Sequence, residues 1–109
     1  MPLLFVYGTL RDPEVQRRVL GREVYGEPAS LVGWRKEWIK VRAEAAEIAG
    51  HDVHPVAVPS DGGELEGLVL HLLDEDWPAL DAYEGEPYER VAVVLSDGRD
   101  ASFYAARCR

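Results

Sequence analysis

The sequence predicts an α+β protein, mainly β, in one domain over residues 1–109. Three observations carry that reading. Short apolar runs rich in β-branched and aromatic residues recur along the chain, separated by clusters of Gly, Pro, Ser and Asp. Such runs read as strands bounded by turns. Helix-start chemistry occurs around Asp12-Pro13-Glu14 and again around Asp76-Trp77-Pro78, and each helical pattern closes on a glycine. Finally, 109 residues with 47% apolar and 29% charged content can bury a core without disulfide or metal staples.

Leu3-Leu4-Phe5-Val6-Tyr7 is unbroken apolar sequence and reads as a buried strand. Gly8 and Thr9 interrupt it. Asp12 then caps a helix with Pro13 in its first position and Glu14 against its positive end. Val15 and Val19, four apart, give that helix one apolar face, and Gly21 stops it. Residues 23–28 read as a connector. Residues 31–34 and 38–41 are expected as one or two strands with Arg35-Lys36-Glu37 between them. Residues 42–50, rich in Ala and Glu, read as a helical turn or an irregular loop.

Residues 55–59 form a short extended piece between two prolines, and Ser60-Asp61-Gly62-Gly63 reads as a turn. Residues 64–73 alternate at first and are apolar toward the end, a strong strand in which Gly67 marks a bulge or a close backbone approach. The helix after Asp74 or Asp76 turns Trp77, Leu80 and Tyr83 or Glu84 inward, and it stops at Gly85 before Pro87. Val91, Val93 and Leu95 alternate in the next strand, Ser96-Asp97-Gly98-Arg99 makes a hairpin turn, and residues 100–106 return as its partner. The expected total is six or so strands and two or three short helices.

The net charge of −8 argues against nucleic acid or an anionic membrane as partner. No apolar run is long enough to span a bilayer, and the N-terminus lacks the basic region of a signal peptide. A lone Cys108 forms no internal disulfide, in keeping with a cytoplasmic protein. His51 and His54 would need two further metal ligands, and only His71 and Cys108 are on offer at no recognised spacing, so neither metal nor cofactor is expected. The cations lean toward residues 1–42, where Arg11, Arg17, Arg18 or Arg35 could lend positive potential to an anion-binding loop.

Two stretches carry chemistry. A strand, a tight loop and a helix start in immediate succession can aim the backbone N–H groups of residues 8 to 10 into one space, a cradle for a carboxylate or an oxyanion. Many such turns in α/β domains bind nothing, so the loop alone decides little. The second stretch is Leu80-Asp81-Ala82-Tyr83-Glu84-Gly85-Glu86-Pro87-Tyr88-Glu89-Arg90. Glu84 ends its helix, where the negative end of the dipole disfavours its charge, and Tyr83, Pro87 and Tyr88 would desolvate it. Both effects raise a carboxyl pKa toward neutrality, as suits a group that takes and returns a proton.

Phe5-Val6-Tyr7-Gly8-Thr9-Leu10-Arg11 followed at this distance by Leu80-Asp81-x-Tyr83-Glu84-Gly85-x-x-Tyr88-x-Arg90 resembles the γ-glutamylcyclotransferase-like (AIG2-like) superfamily. The resemblance extends to Gly33, to residues 55–59, to Leu65-x-Gly67-x-Val69-x-x-Leu72 and to the closing strand near Tyr104; His54-Pro55 departs from the usual Tyr-Pro. It implies a small mixed β-barrel of about five to seven strands with two or three flanking helices. It also implies Glu84 as catalytic acid/base, with Tyr7, Gly8, Thr9 and Leu10 cradling a γ-glutamyl group and Tyr88 bordering the pocket.

The implied reaction is attack of the substrate's α-amino group on its γ-carbonyl carbon. It releases 5-oxoproline and an amine or amino acid. The partner is then a small γ-glutamyl molecule, with no nucleic acid and no membrane. A non-catalytic module that senses a γ-glutamyl or other carboxylated metabolite in the same pocket is the alternative.

Overall fold

The apolar run at the start of the chain becomes the central strand of a five-stranded sheet. The computed structural model describes residues 2–40, 53–85 and 88–106. Strand β1 (Leu3–Val6) lies between β3 (Val53–His71), antiparallel from Leu3↔His71 to Val6↔Leu68, and β5 (Asp100–Ala106), parallel at Leu4↔Ser102. β2 (Gly26–Lys40) pairs along β3, and β4 (Tyr88–Val94) along β5, giving the order β2-β3-β1-β5-β4. A strand covered on both faces has to be apolar throughout. Leu4, Phe5 and Val6 meet that demand at 0%, 1% and 4% exposure.

Alternate residues of β1 enter two cores. Leu4 and Val6 face α1 (Pro13–Leu20) and α2 (Trp77–Glu84), where Val15, Leu70, Leu72 and Leu80 pack with them. Phe5 and Tyr7 face the other way, against Leu65, Val69 and Phe103, with Trp34 edge-on to Phe103 at 4.8 Å. The sheet curls around this second core until its two margins come together near Ser30 and Ser96. There the Ser96 backbone N–H and hydroxyl both donate to the Ser30 carbonyl, at 3.0 and 2.9 Å. No ladder runs along those margins, so the expected barrel is a curled open sheet, pinned by the Ser30–Ser96 pair and by Arg99 Nη1 on Glu27 Oε1 at 3.1 Å.

Five strands replace the expected six or so because two breaks in the sequence are not breaks in the ladder. Residues 31–34 and 38–40 belong to one strand, β2, which already starts at Gly26, and Val41 lies outside the described residues. The residues 60–63 expected to turn lie inside β3, where pairing resumes after a register shift between Val32 and Trp34. Gly33 at φ 94° and Gly62 at φ 76° take the left-handed backbone that this bulge needs. The expectations for residues 42–50 and for Pro87 lie outside the described residues.

The helix ends follow the sequence more closely. Asp12 Oδ1 accepts from the Glu14 N–H at 2.9 Å, and Gly21 closes α1 at φ 79°. Before α2 a 3-10 turn, Asp74–Asp76, intervenes. Asp76, 5% exposed, accepts from the Leu73 N–H at 2.8 Å and from both guanidinium nitrogens of Arg22 at 2.8 and 2.6 Å. Gly67 is a place of close approach: a Cβ there would fall 2.0 Å from the Val6 carbonyl oxygen.

Candidate active site

Where β1 ends, the chain runs through Tyr7 and Gly8 into a 3-10 turn at Thr9–Arg11, and Asp12 starts α1 directly after it. Gly8 sits at φ −128°, so the loop makes no use of a left-handed glycine. The turn's bonds begin with Arg11 N–H to Gly8 O at 3.2 Å and Asp12 N–H to Thr9 O at 3.0 Å. The N–H groups of Gly8, Thr9 and Leu10 therefore precede the first bonded donor, as at any helix start. Buried Gln16 on α1 holds this loop from behind. Its amide donates to Leu10 O at 2.8 Å and accepts from the Val24 N–H at 2.9 Å.

Glu84 is the last residue of α2, and Gly85 ends the helix at φ 71° with its N–H on Asp81 O at 3.1 Å. The Glu84 side chain enters a cleft of about 30 Å³ walled by Phe5, Tyr7, Thr9, Leu10, Tyr88 and Tyr104. Over the whole residue Glu84 is only partly buried. Its carboxyl is the enclosed part, and burial pushes its pKa up to about 8. Among the described residues no hydrogen bond or ion pair reaches that carboxyl.

The phenols around it stay neutral. Burial drives Tyr7, Tyr88 and Tyr104 well above the ordinary tyrosine range, and the Glu84 charge adds to each. Tyr7 OH donates to Tyr104 O at 2.5 Å and accepts from the Ala57 N–H at 2.9 Å, so its hydroxyl is committed to the fold and its ring is what faces the cleft. Tyr104 OH donates to Asp81 Oδ1 at 2.5 Å. Tyr83 OH and Thr9 Oγ1 lie 2.5 Å apart and join α2 to the loop.

Beyond Gly8 and Thr9 the cleft gives onto a far larger open groove of about 1050 Å³, bordered by Arg11, Asp12, Ser30, Glu66, Ser96 and Asp97. Of the arginines expected near the loop, Arg17, Arg18 and Arg35 form exposed pairs with Glu23, Glu14 and Glu37. Arg11 is the one at the groove, with its Nε on Gly8 O at 3.2 Å. Among the described residues no three His, Cys, Asp or Glu side chains are grouped to hold a metal ion. His51, Cys108 and the side chain of His54 lie outside them.

All six residues singled out in the sequence, Tyr7, Gly8, Thr9, Leu10, Glu84 and Tyr88, border this one cleft. Sequence reasoning missed Tyr104 as a wall and Gln16 and Asp81 as supports. A tyrosine among small residues in the last strand was a signal for the first. A glutamine between Val15 and Val19 near the apolar face was a signal for the second.

The loop after β1 and the enclosed carboxyl of Glu84 thus border one cleft, and among the described residues that carboxyl has no hydrogen-bond or ion-pair partner. The chain belongs to the family described as gamma-glutamyl cyclotransferase, AIG2-like, whose model matches residues 4–108. It is 36% identical over 93 residues to AIG2-like protein A of Arabidopsis thaliana, covering 84% of this chain and 50% of that protein. AIG2-like protein D of the same plant is 32% identical over 103 residues, covering 92% of this chain and 61% of its own length. The chain thus spans about half to three fifths of the curated relatives it matches.

A solution structure of an Arabidopsis thaliana protein superposes with a TM-score of 0.75 at 32% identity, over 96% of this chain and 68% of that one. A structure titled gamma-glutamyl cyclotransferase superposes at 0.73 over 97% and 66%, with 17% identity, a likeness of fold. No helix among the described residues is long and apolar enough to cross a membrane.

Proposed function

We propose that this chain is a single-domain cytoplasmic cyclotransferase that converts a γ-glutamyl amine or γ-glutamyl peptide into 5-oxoproline and a free amine. Glu84 is the acid/base, Tyr7, Gly8, Thr9 and Leu10 form the cradle, and Tyr88 is a wall. The observation that carries this reading is the Glu84 carboxyl, enclosed in the cleft beside the loop, pushed up to about 8 and without a partner among the described residues. A structural glutamate would have an ion pair or would face water.

The chemistry follows from that acidity. A substrate α-ammonium entering the cleft supplies the missing positive charge and favours the ionised carboxylate. Burial has already moved the carboxyl from 4.5 toward the range of an α-amino group, so taking a proton from nitrogen costs Glu84 less than it would cost an ordinary glutamate. The freed amine attacks the γ-carbonyl carbon within its own molecule, so no second reactant has to be captured. The N–H groups of residues 8 to 10 support the tetrahedral oxyanion or the substrate's α-carboxylate.

Glu84 next delivers its proton to the departing nitrogen and collects the second proton from the ring nitrogen as the old C–N bond breaks. That second proton follows the first, the leaving group departs as an ammonium ion, and Glu84 ends as it began. One carboxyl serves both transfers.

The test is mass spectrometry of products after incubation with a panel of γ-glutamyl amines and dipeptides, each beside its N-acetylated form. Release of 5-oxoproline from the free-amine compounds alone is the expected result. Cleavage of the acetylated compounds would point to an ordinary hydrolase. Saturable binding without 5-oxoproline would point to a sensing module.

A further inference from the structure

We propose that Asp81 is a positioning residue: it fixes the Tyr104 wall of the cleft and so sets how completely the Glu84 carboxyl is enclosed. The proposal rests on the reading of Glu84 as the proton-transfer group. Asp81 precedes Glu84 by three residues on α2, close to one turn, so both project toward the same side of the helix. Its own side chain is 48% exposed, and an aspartate so placed ordinarily contributes little. Here it receives the hydroxyl of Tyr104, a ring only 5% exposed, at 2.5 Å.

Arg90 helps hold Asp81 in place. Its Nη1 lies 3.7 Å from the same Oδ1, and its guanidinium covers the Trp77 ring at 4.3 Å, at the other end of α2. Tyr104 in turn accepts the Tyr7 hydroxyl on its carbonyl, and Tyr7 accepts the Ala57 N–H. One line of bonds therefore ties the helix that carries Glu84 to β5, to the end of β1 and to β3. The Thr9–Tyr83 contact is a second tie, from α2 to the loop.

Among the described residues, the titratable groups that face Glu84 are Tyr7 from the end of β1, Tyr83 on its own helix, Tyr88 from β4 and Tyr104 from β5. All four phenols are neutral near pH 7, and no cation is among them. The acidity of Glu84 is then governed by how dry the cleft is. A loosened Tyr104 wall lets water in, and the carboxyl falls back toward the ordinary range.

The test is a carbon-13 NMR titration of the Glu84 carboxyl in the intact chain, which needs no substrate and stands whether or not 5-oxoproline is ever released. Asp81→Ala and Tyr104→Phe, both folded by circular dichroism, should each lower the Glu84 midpoint by about one pH unit or more. The double variant should lower it no further than either alone, since both remove one bond. Asp81→Asn, which keeps an acceptor oxygen, should stay close to wild type. Where turnover is measurable, Asp81→Ala should reduce kcat about tenfold with KM little changed, matching the moved midpoint. A folded Asp81→Ala or Tyr104→Phe protein with an unmoved Glu84 titration overturns the proposal, as does an Asp81→Asn protein that titrates like Asp81→Ala.

Discussion

Replacing Glu84 by Gln separates what the enclosed carboxyl costs the fold from what it contributes to chemistry. Burial raises its pKa from 4.5 to about 8. At about 1.4 kcal/mol per unit, the ionised form is disfavoured in the folded state by roughly 5 kcal/mol. The sign follows from proton counts. Between these two values the folded chain holds a proton that the unfolded chain has released, so folding is progressively weakened as the pH rises. Below pH 4.5 both states are protonated and nothing is lost; at pH 7 the loss is roughly 3 kcal/mol, and above pH 8 it is complete.

Gln carries no such proton. The stability difference between Glu84→Gln and wild type should therefore be small at pH 5 and widen by about 3 kcal/mol or more by pH 8, read by urea unfolding at each pH. In the same protein, turnover of a γ-glutamyl amine should fall by about 10²–10⁴, roughly 3–5 kcal/mol of barrier. Glu89→Gln is the control for both readouts. A stability difference that stays flat from pH 5 to pH 8 would refute the enclosed-carboxyl argument even if activity were lost.

Gln16→Leu fits the helix face but removes the donor to Leu10 O and the acceptor of the Val24 N–H. It should cost about 2 kcal/mol in urea unfolding and weaken ligand binding measured by calorimetry. If stability drops while affinity holds, the Gln16 tether does not shape the loop. Gly67→Ala places a Cβ against the Val6 carbonyl, rigid backbone that can yield only by breaking the β1–β3 register. A loss of about 2–4 kcal/mol is expected, and a loss below about 0.5 kcal/mol would mean that the sheet relaxes there freely.

The cleft was legible in the sequence because its chemistry sits at the ends of elements, where residue type is most constrained. Asp12, Pro13 and Gly21 delimit α1, Gly85 ends α2 directly behind Glu84, and the strand before Gly8 is apolar for a reason that needs no partner to be known. The misread parts depend on pairing across distance. Ser60-Asp61-Gly62-Gly63 has the composition of a turn, and only the continuing ladder with β2 makes it a bulge. Asp76 has the composition of a cap, yet Arg22, far away in sequence, takes it into an ion pair. Tyr104 and Asp81 were hidden for the same reason: neither says, in its own neighbourhood, that the other stands 23 residues away.

The placement of β1 has a consequence for how the molecule assembles. Residues near the beginning of the chain are flanked by strands that end at positions 71 and 106, and the parallel contact joins Leu4 to Ser102. Pairings this remote close very large loops before they bring any reward, and topologies of that kind fold slowly. Until β5 arrives, β1 lacks one neighbour, Tyr7 has no carbonyl to hold, and the wall in front of Glu84 is missing. The acid and its walls are therefore incomplete in any state that lacks β5. A chain truncated before β5 would leave one edge of the apolar strand Leu3-Leu4-Phe5-Val6 unpaired, an edge of the kind through which chains associate.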